Sequence, residues 1–258
     1  MTDKFSGYIN IILAYFLWGL APIYYKLLDG VPSYIVLCHR IIWSFVFILL
    51  LVFFFKKFKY IRLILVNKKK VFILFLSSTL ICSNWFIYIW SIDQNHILET
   101  SLGYFINPII TVFLSMLFLN ERLSKWKLIA IIIALMAVIY QVISIGFFPW
   151  IALSLATTFG FYALLKKKFP IESQVGLFIE TSLFTPVAFF YLLFHSSISV
   201  QDYLHYSFLK DLLLVCSGVM TTLPLIFFNN ATKKLKLSTV GFFHSDTVLL
   251  GFASYFKY

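Results

Sequence analysis

The sequence predicts an all-α polytopic membrane protein, and three observations lead to that prediction. Long apolar runs alternate with short polar segments along the chain. The composition is 61% hydrophobic and only 12% charged, which is far more apolar than a soluble domain. Lysine is concentrated in every second polar segment. A helix rising 1.5 Å per residue needs about 20 apolar residues to cross a hydrocarbon core of about 30 Å, and most of the runs approach or exceed that length.

Nine apolar runs follow one another from the N-terminus, and each is predicted to form one transmembrane helix. In chain order, spans 1 to 9 cover residues 7–27, 33–55, 71–92, 98–119, 126–145, 147–165, 174–194, 209–230 and 238–256. The polar segments between them are too short to hold a soluble domain.

The basic residues predict the orientation of the chain. With the N-terminus in the cytoplasm, 17 of the 21 Lys and Arg residues fall in cytoplasmic segments. They are Lys4, Lys56, Lys57, Lys59, Arg62, Lys68, Lys69, Lys70, Arg122, Lys125, Lys127, Lys166, Lys167, Lys168, Lys233, Lys234 and Lys236. Cytoplasmic loops retain Lys and Arg, so we expect a multi-pass protein of a bacterial-type inner (plasma) membrane. Because these lysines are not on one folded surface, the net charge of +11 does not indicate nucleic-acid binding.

The sequence lacks the patterns expected of an enzyme. It has no Gly-rich phosphate loop, no paired carboxylates and no His/Cys set with metal-ligand spacing. We therefore expect no catalytic residue, no cofactor and no metal. Cys38, Cys82 and Cys216 all lie in apolar runs and are predicted to be free thiols.

Several residues recur at an offset of about 140 positions. Gly103 in span 4 matches Gly241 in span 9, and Arg40 in span 2 falls opposite Glu180 in span 7. The offset equals five spans, and because five is odd, the second copy would enter the membrane upside down. Inverted repeats are typical of secondary transporters. The alternative is chance similarity between Leu- and Phe-rich helices.

Five short motifs resemble the EamA-type drug/metabolite transporter superfamily, and its RarD-like branch in particular. They are His39–Ser44, Asn84–Trp90, Ser101–Pro108, Glu121–Arg122 and Thr222–Leu225. The resemblance covers residues 5–243, and the block from Ser101 is its most specific part. It implies ten helices in two inverted five-helix repeats, both termini in the cytoplasm, and export or uptake of small metabolites.

The C-terminal end departs from that family pattern. After residues 241–243 the pattern expects a polar residue, an aromatic residue and a proline, and then the rest of span 9 and span 10. This chain has His244, Ser245 and Asp246 there, and it stops at Tyr258. We therefore expect a truncated end, and the alternative is that Asp246 is a functional proton site.

The repeat and the resemblance together predict two domains. The first would be a five-helix repeat over residues 5–145. The second would be an incomplete repeat of four helices over residues 146–258, with its last helix missing.

Arg40 is the first candidate for a substrate-binding residue. It lies about seven residues into span 2, which is about 10 Å below the outer end of the helix. An intramembrane Arg is costly and usually faces a cavity or a partner, and the alternative is snorkelling to the interface. Trp43 lies at i+3 on the same helical face and is a candidate to stack on the guanidinium.

Glu180 is the only carboxylate well inside the first eight predicted spans. A buried Glu without a partner tends to take up a proton. It is therefore a candidate proton-coupling or cation-binding group, and the alternative is a structural partner for a Thr, Tyr or Lys. We expect Arg40 and Glu180 to face one central cavity, where Arg40 would bind an anionic group of the substrate and Glu180 its amine or a proton.

Four further residues are candidates for the substrate site. Asn84 and Trp85 belong to an aromatic, partly polar stretch of span 3, which would suit the wall of a pocket, although aromatic interface belts and packing are the alternative. Tyr104 and Asn107 are the candidates in span 4.

Prolines interrupt three of the spans. Pro108, Pro186 and Pro224 are candidate helix breaks in spans 4, 7 and 8. A proline frees the carbonyl four residues back, and freed carbonyls line many transporter sites. The alternative is a kink whose backbone groups find other partners.

These observations predict a secondary transporter that moves a small organic metabolite or drug by alternating access. Its cavity would be lined by spans 2, 3, 4, 7, 8 and 9, and its partners would be the lipid bilayer, the small-molecule substrate and a coupling proton or cation. The alternative is a truncated, non-transporting membrane protein, a structural remnant or regulatory partner, which would not need a tenth span.

Overall fold

The computed structural model describes residues 2–94, 96–146, 148–194 and 207–243. These ranges form helices joined by short turns, and they contain no β-strand. The helices are α1 Thr2–Lys26, α2 Ser33–Phe54, α3 Phe58–Leu65, α4 Lys68–Asp93, α5 Ile97–Leu119, α6 Lys125–Ile145, α7 Trp150–Lys168, α8 Ser173–Phe194 and α9 Phe208–Lys234. A further helical segment begins at residue 237 and continues to 243, where the described residues end.

Seven of the described helices are long and apolar enough to cross a membrane, namely α1, α2, α4, α5, α6, α8 and α9. The predicted all-α polytopic membrane class is therefore confirmed. The count of nine spans is not reached in the described ranges. Span 6 forms α7, but this helix has 19 residues and ends in Lys166, Lys167 and Lys168, which shortens its apolar part. Most of span 9 lies outside the described residues.

The basic segment between spans 2 and 3 contains a helix that the sequence analysis did not predict. α3 is amphipathic, with Ile61 and Ile64 buried against α2, α4 and α8. The helix has eight residues, of which only Ile61 and Ile64 are buried. A segment this short does not form a membrane-length apolar run in the sequence. Arg62, between the two isoleucines, is exposed.

Four helices, α2, α4, α8 and α9, form the centre of the bundle. α2 packs against α8 and α9, and α4 packs against α7 and α8. α1 lies on α9, and α5 lies on α7. α6 contacts α5 and has no buried residue from 125 to 144, so it lies at the periphery.

The contact between α2 and α9 depends on one glycine. A Cβ atom at Gly218 would lie 2.3 Å from the carbonyl carbon of Trp43, a separation that real Cβ atoms do not show. Ser44 Oγ donates a hydrogen bond to the Gly218 carbonyl oxygen at 3.3 Å. Small residues allow helix backbones in membranes to approach closely, so Gly218 brings α9 against α2 beside Arg40.

The lysine-rich segments meet at one end of the bundle, called here the lysine-rich end. Lys57, after α2, forms a salt bridge with Glu172, before α8, with 2.7 Å between Nζ and Oε1. This hydrogen bond raises the pKa of Lys57 above its usual value. Lys234, at the end of α9, forms a salt bridge with Asp3 of α1, with 3.7 Å between Nζ and Oδ1.

Glu121 joins two further parts of the chain at the same end. Its Oε1 accepts the N–H of Leu237 at 2.8 Å, and its Oε2 accepts the N–H and the hydroxyl of Ser238 at 3.0 and 2.7 Å. The carboxylate therefore satisfies the free N–H groups at the start of the last helical segment, as an N-capping side chain does within one helix.

Candidate functional site

A small cavity lies between α2, α4, α8 and α9. Its lining residues are Ile41, Ser44, Ser78, Ile81, Cys82, Trp85, Leu177, Glu180, Thr181, Phe184, Thr221, Thr222 and Leu225. The volume of the cavity is about 20 Å³. That volume suits one water-sized group and not an organic molecule.

Arg40 lies beside the cavity and is 8% exposed. Its Nε donates a hydrogen bond to Thr221 Oγ1 at 3.1 Å. The guanidinium carbon lies 5.0 Å from the ring centroids of both Tyr25 and Trp85. Thr221 and Trp85 line the cavity, so Arg40 faces the protein interior and does not reach a surface as a snorkelling Arg would.

No carboxylate of the described residues pairs with Arg40. The four salt bridges within 4.0 Å in those ranges involve Lys57, His96, Lys166 and Lys234. The positive charge of Arg40 is met by aromatic faces and a hydroxyl, and no described anion neutralises it.

In the described structure, the rings over the Arg40 guanidinium are those of Tyr25 and Trp85, and Trp43 has another partner. Trp43 Nε1 donates a hydrogen bond to His39 Nδ1, one turn earlier in α2, at 3.2 Å. The rings beside the guanidinium come from α1 and α4 instead. Spacing within one helix identifies residues that share a face, but it does not show which rings the neighbouring helices supply.

Glu180 lines the cavity from α8 and is 3% exposed. Its Oε1 forms a salt bridge with Lys166 Nζ and accepts a hydrogen bond from Ser77 Oγ. Ser78 Oγ donates to the Glu180 backbone oxygen at 2.8 Å. The other carboxylate oxygen of Glu180, Oε2, has no hydrogen-bond partner among the described residues. One carboxylate oxygen therefore has a structural role, and the other is available to a ligand or a proton.

Lys166 is a site residue that the sequence analysis missed, because it was grouped with the neighbouring lysines of a polar segment. It is 9% exposed, whereas Lys168 is exposed. Its Nζ lies 5.1 Å from the ring centroid of Tyr162, one turn earlier. Helical spacing carried the signal, since Lys166 follows buried Tyr162 at i+4 and buried Ala163 at i+3.

Asn84 lies away from the cavity, between α4 and α7. Its Nδ2 donates hydrogen bonds to the Leu155 carbonyl oxygen and to Thr158 Oγ1, both at 2.9 Å. The amide fixes α4 against α7, while Trp85, the next residue along α4, lines the cavity.

The two candidates in span 4 also lie away from the cavity. Asn107 Nδ2 donates to the Ala156 carbonyl oxygen at 3.3 Å, and its Oδ1 accepts from Thr111 Oγ1 at 3.1 Å. The ring of Tyr104 packs against that of Tyr88, with 6.2 Å between centroids. No described residue of spans 4 and 9 lines this cavity, because α5 packs on α7 and most of span 9 lies outside the described residues.

The three prolines lie inside helices that continue through them. Pro108 is in α5, Pro186 in α8 and Pro224 in α9. Each removes one backbone hydrogen bond, and none of them ends its helix.

The described residues contain no cluster of metal-ligating side chains. Within the described ranges, no three His, Cys, Asp or Glu side chains converge on a point where a metal ion could bind. Cys38, Cys82 and Cys216 are free thiols, as predicted. The expectations about a truncated end and about Asp246 concern residues 244–258, which lie outside the described residues.

Comparison with known proteins identifies the family. The profile of the EamA-like transporter family matches residues 5–143. The chain is 43% identical to a protein of Vibrio cholerae named "Uncharacterized transporter", over 93% of this chain and 80% of that protein. It is 41% identical to "Protein RarD" of Escherichia coli strain K12, over 92% and 80%. It is 42% identical to "Uncharacterized transporter YojE" of Bacillus subtilis strain 168, over 97% and 86%.

A solved structure shares the fold. A crystal structure titled "Crystal structure of protein" superposes with a TM-score of 0.72 at 15% sequence identity, covering 98% of this chain and 87% of that chain. The family profile and the relatives at about 40% identity agree with the motifs noted in the sequence. The chain belongs to the EamA-like transporter family and, within it, to the RarD-like branch.

Proposed function

We propose that this membrane transporter is of the secondary type and carries a small organic metabolite or drug across the membrane by alternating access. The substrate would bind in the cavity between α2, α4, α8 and α9. The observation that carries this proposal is the pair of buried, oppositely charged residues at that cavity. Arg40 comes from one half of the chain and Glu180 from the other. Burial of a charged side chain inside the membrane is costly, and such residues commonly mark functional sites.

We further propose that residues 5–145 and 146–258 are inverted repeats. In this arrangement α1 corresponds to α7, α2 to α8, and α4 to α9. The helix contacts support it, because the pairs exchange under that correspondence. α1 packs on α9 as α7 packs on α4, and α2 packs on α9 as α8 packs on α4. The family profile also ends close to the proposed boundary, at residue 143.

The polar contacts at the cavity support the same correspondence. In each half, the charged residue of the second helix contacts a side chain near the end of the first helix and a hydroxyl group on a helix of the other half. In the same order, the two sets are Arg40, Tyr25 and Thr221, and Glu180, Lys166 and Ser77. Both sets flank one cavity, as expected when two inverted halves meet at a binding site.

We propose that the lysine-rich end faces the cytoplasm of a bacterial inner membrane. The salt bridges of Lys57 and Lys234 bring the basic segments to the same end of the bundle. Retention of Lys and Arg on the cytoplasmic side would then place the N-terminus inside.

We propose a proton or a cation as the coupling ion, with Glu180 as its binding group. The oxygen Oε2 lies in the cavity wall without a donor in the described structure. Protonation of Glu180 would weaken its salt bridge with Lys166, and loss of that salt bridge would loosen α8 from α7. The names of the relatives, which are all transporters or RarD proteins in the comparisons above, favour a protein without catalytic activity.

A flux measurement tests the proposal. Purified protein in proteoliposomes would be assayed with amino acids, nucleotides and drug-like cations, with and without a proton gradient. We expect gradient-dependent flux of at least one class. Thr222→Phe would fill the cavity and abolish that flux, while Thr79→Phe on the exposed face of α4 would preserve it. Equal flux in both variants would place the pathway elsewhere.

The alternative of a truncated, non-transporting protein makes the opposite prediction. It expects no flux of any solute through the wild-type protein. The relatives named as transporters make this alternative less favoured, since the match extends over 92% or more of the chain in each of the three described above.

A further inference from the structure

We propose that the cavity selects organic solutes of net charge −1 and binds their carboxylate at Arg40, in preference to zwitterionic amino acids and cations. This inference rests on the proposed transport function, because it assigns the substrate class of the same cavity. It follows from the charges that surround the cavity and from the polar atoms that have no partner there.

The charges at the cavity do not cancel. The buried charged side chains of the described residues are Arg40, Glu99, Lys166 and Glu180. Glu99 pairs with His96 at 2.9 Å, outside the cavity lining. Lys166 and Glu180 neutralise each other. At the cavity, Arg40 is then the one uncompensated buried charge among the described residues, and the site has a net charge of about +1 by simple counting.

Arg40 is positioned to bind an anion. Among the described residues, its side chain makes one hydrogen bond, which Nε donates to Thr221 Oγ1. A guanidinium has five N–H donors in a planar fork that matches the geometry of a carboxylate. The ring centroids of Tyr25 and Trp85 each lie 5.0 Å from its guanidinium carbon. A buried cation without an anion is unfavourable, so a carboxylate that enters the cavity would gain a strong, charge-assisted contact.

Two other polar atoms of the lining can contact the rest of the solute. Glu180 Oε2 and Thr222 Oγ1 have no hydrogen-bond partner in the described ranges. A carboxylate oxygen only accepts hydrogen bonds, so Glu180 Oε2 fits a solute with an N–H or O–H donor. Because Lys166 already neutralises Glu180, a neutral donor such as an amide completes the site. An ammonium group would restore the excess positive charge.

The remaining lining fits the apolar part of a solute. Five apolar side chains contribute to it, namely Ile41, Ile81, Leu177, Phe184 and Leu225. A solute with a carboxylate, one neutral donor and an aromatic or branched apolar group satisfies each of these surfaces. The space of about 20 Å³ must widen to admit it, as alternating access requires.

Four compounds with the same phenyl group test the inference at pH 7. They are N-acetylphenylalanine with a charge of −1, phenylalanine as a zwitterion, neutral N-acetylphenylalaninamide, and phenethylamine with a charge of +1. Binding to the purified full chain in detergent would be measured by equilibrium dialysis. We expect N-acetylphenylalanine to bind at least about tenfold more tightly than the other three, the difference expected for one charge-assisted contact.

Arg40→Gln should remove that preference, and Arg40→Lys should retain part of it, because an ammonium keeps the charge without the planar fork. Arg62→Gln makes the same chemical change at an exposed residue of α3 and should bind like the wild type. The thermal unfolding of each variant shows whether it is folded. If Arg40→Gln does not fold, the order of the four compounds on the wild-type protein still decides the matter.

Tighter binding of phenylalanine or phenethylamine would overturn the inference, and so would equal or absent binding of all four compounds. These results would leave the proposed transport function standing if flux of another solute is observed. The predicted order of binding without flux of any solute would instead support the charge selectivity of the site and contradict the transport proposal.

Discussion

Arg40 and Glu180 have different partners inside the apolar bundle. The Glu180 carboxylate has a cation, Lys166, and a hydroxyl, Ser77, on one of its oxygens. The Arg40 guanidinium has two aromatic faces and one hydroxyl. A paired buried charge has its counter-charge within the protein, whereas an unpaired one favours a ligand of opposite charge. This difference underlies the different roles proposed for the two residues.

The Lys166–Glu180 salt bridge leads to a stability prediction. Removal of one partner leaves the other charge buried without compensation, which typically costs about 3–5 kcal/mol. We expect Glu180→Gln and Lys166→Met each to lower the free energy of unfolding by about this much, and the double variant to lose less than the sum. Unfolding in detergent would measure this. Lys168→Met, at an exposed lysine, should have little effect, and additive losses in the double variant would show that the two residues are not coupled.

At the scale of residues, the sequence predicted the burial of Arg40 and Glu180 better than it predicted their partners. An Arg and a Glu inside apolar runs are conspicuous because burial of a charge is costly. Lys166 was hidden because it stands in a row of three lysines, and only the packing of α7 separates it from Lys167 and Lys168. Tyr25 was missed because its contact with Arg40 depends on how α1 and α2 pack.

At the scale of elements, the contact between α2 and α9 should be sensitive to a single methyl group. We expect Gly218→Ala to lower the free energy of unfolding by about 1–3 kcal/mol, the usual cost of overpacking, since its Cβ would overlap the Trp43 backbone. Gly176→Ala in α8 is a matched control, because its Cβ would lie 3.6 Å or more from its nearest neighbours. Equal unfolding temperatures of the two variants would show that α2 and α9 are not in close contact.

The helices were predicted well wherever a long apolar run defines them. The first eight runs correspond to α1, α2 and α4–α9, with bounds that differ by a few residues, because the bilayer thickness sets their length. α3 was missed because a short amphipathic helix is stabilised by its neighbours and not by its own sequence. The prolines were weaker guides, since a helix in a membrane can continue through a lost hydrogen bond.

At the scale of the whole molecule, the grouping of the basic segments predicts a fixed topology. In a background without Cys38, Cys82 and Cys216, single cysteines would be placed at two exposed positions, Lys69 at the lysine-rich end and Asp29 at the other. We expect a membrane-impermeant thiol reagent to label only position 29 in intact cells, because Lys and Arg are retained in the cytoplasm. Labelling of position 69 alone would reverse the orientation.

The composition and the charge pattern were sufficient for the membrane class and for the family resemblance. They were not sufficient to place the cavity. From the sequence, Asn84 and Asn107 are both candidates for the substrate site, but in the structure both hydrogen-bond to α7. Polar side chains in apolar helices serve packing and binding alike, and only their partners in the folded chain distinguish the two roles.

The accessibility of Cys82 tests alternating access at this cavity most directly. Cys82 is a natural residue of the cavity lining, and Cys38→Ala with Cys216→Ala would leave it as the single thiol. Right-side-out and inside-out membrane vesicles would be treated with a membrane-impermeant thiol reagent. We predict modification of Cys82 from both sides, because the cavity opens to each side in turn. Modification from one side only, or from neither, would contradict a transport pathway that runs between α2, α4, α8 and α9.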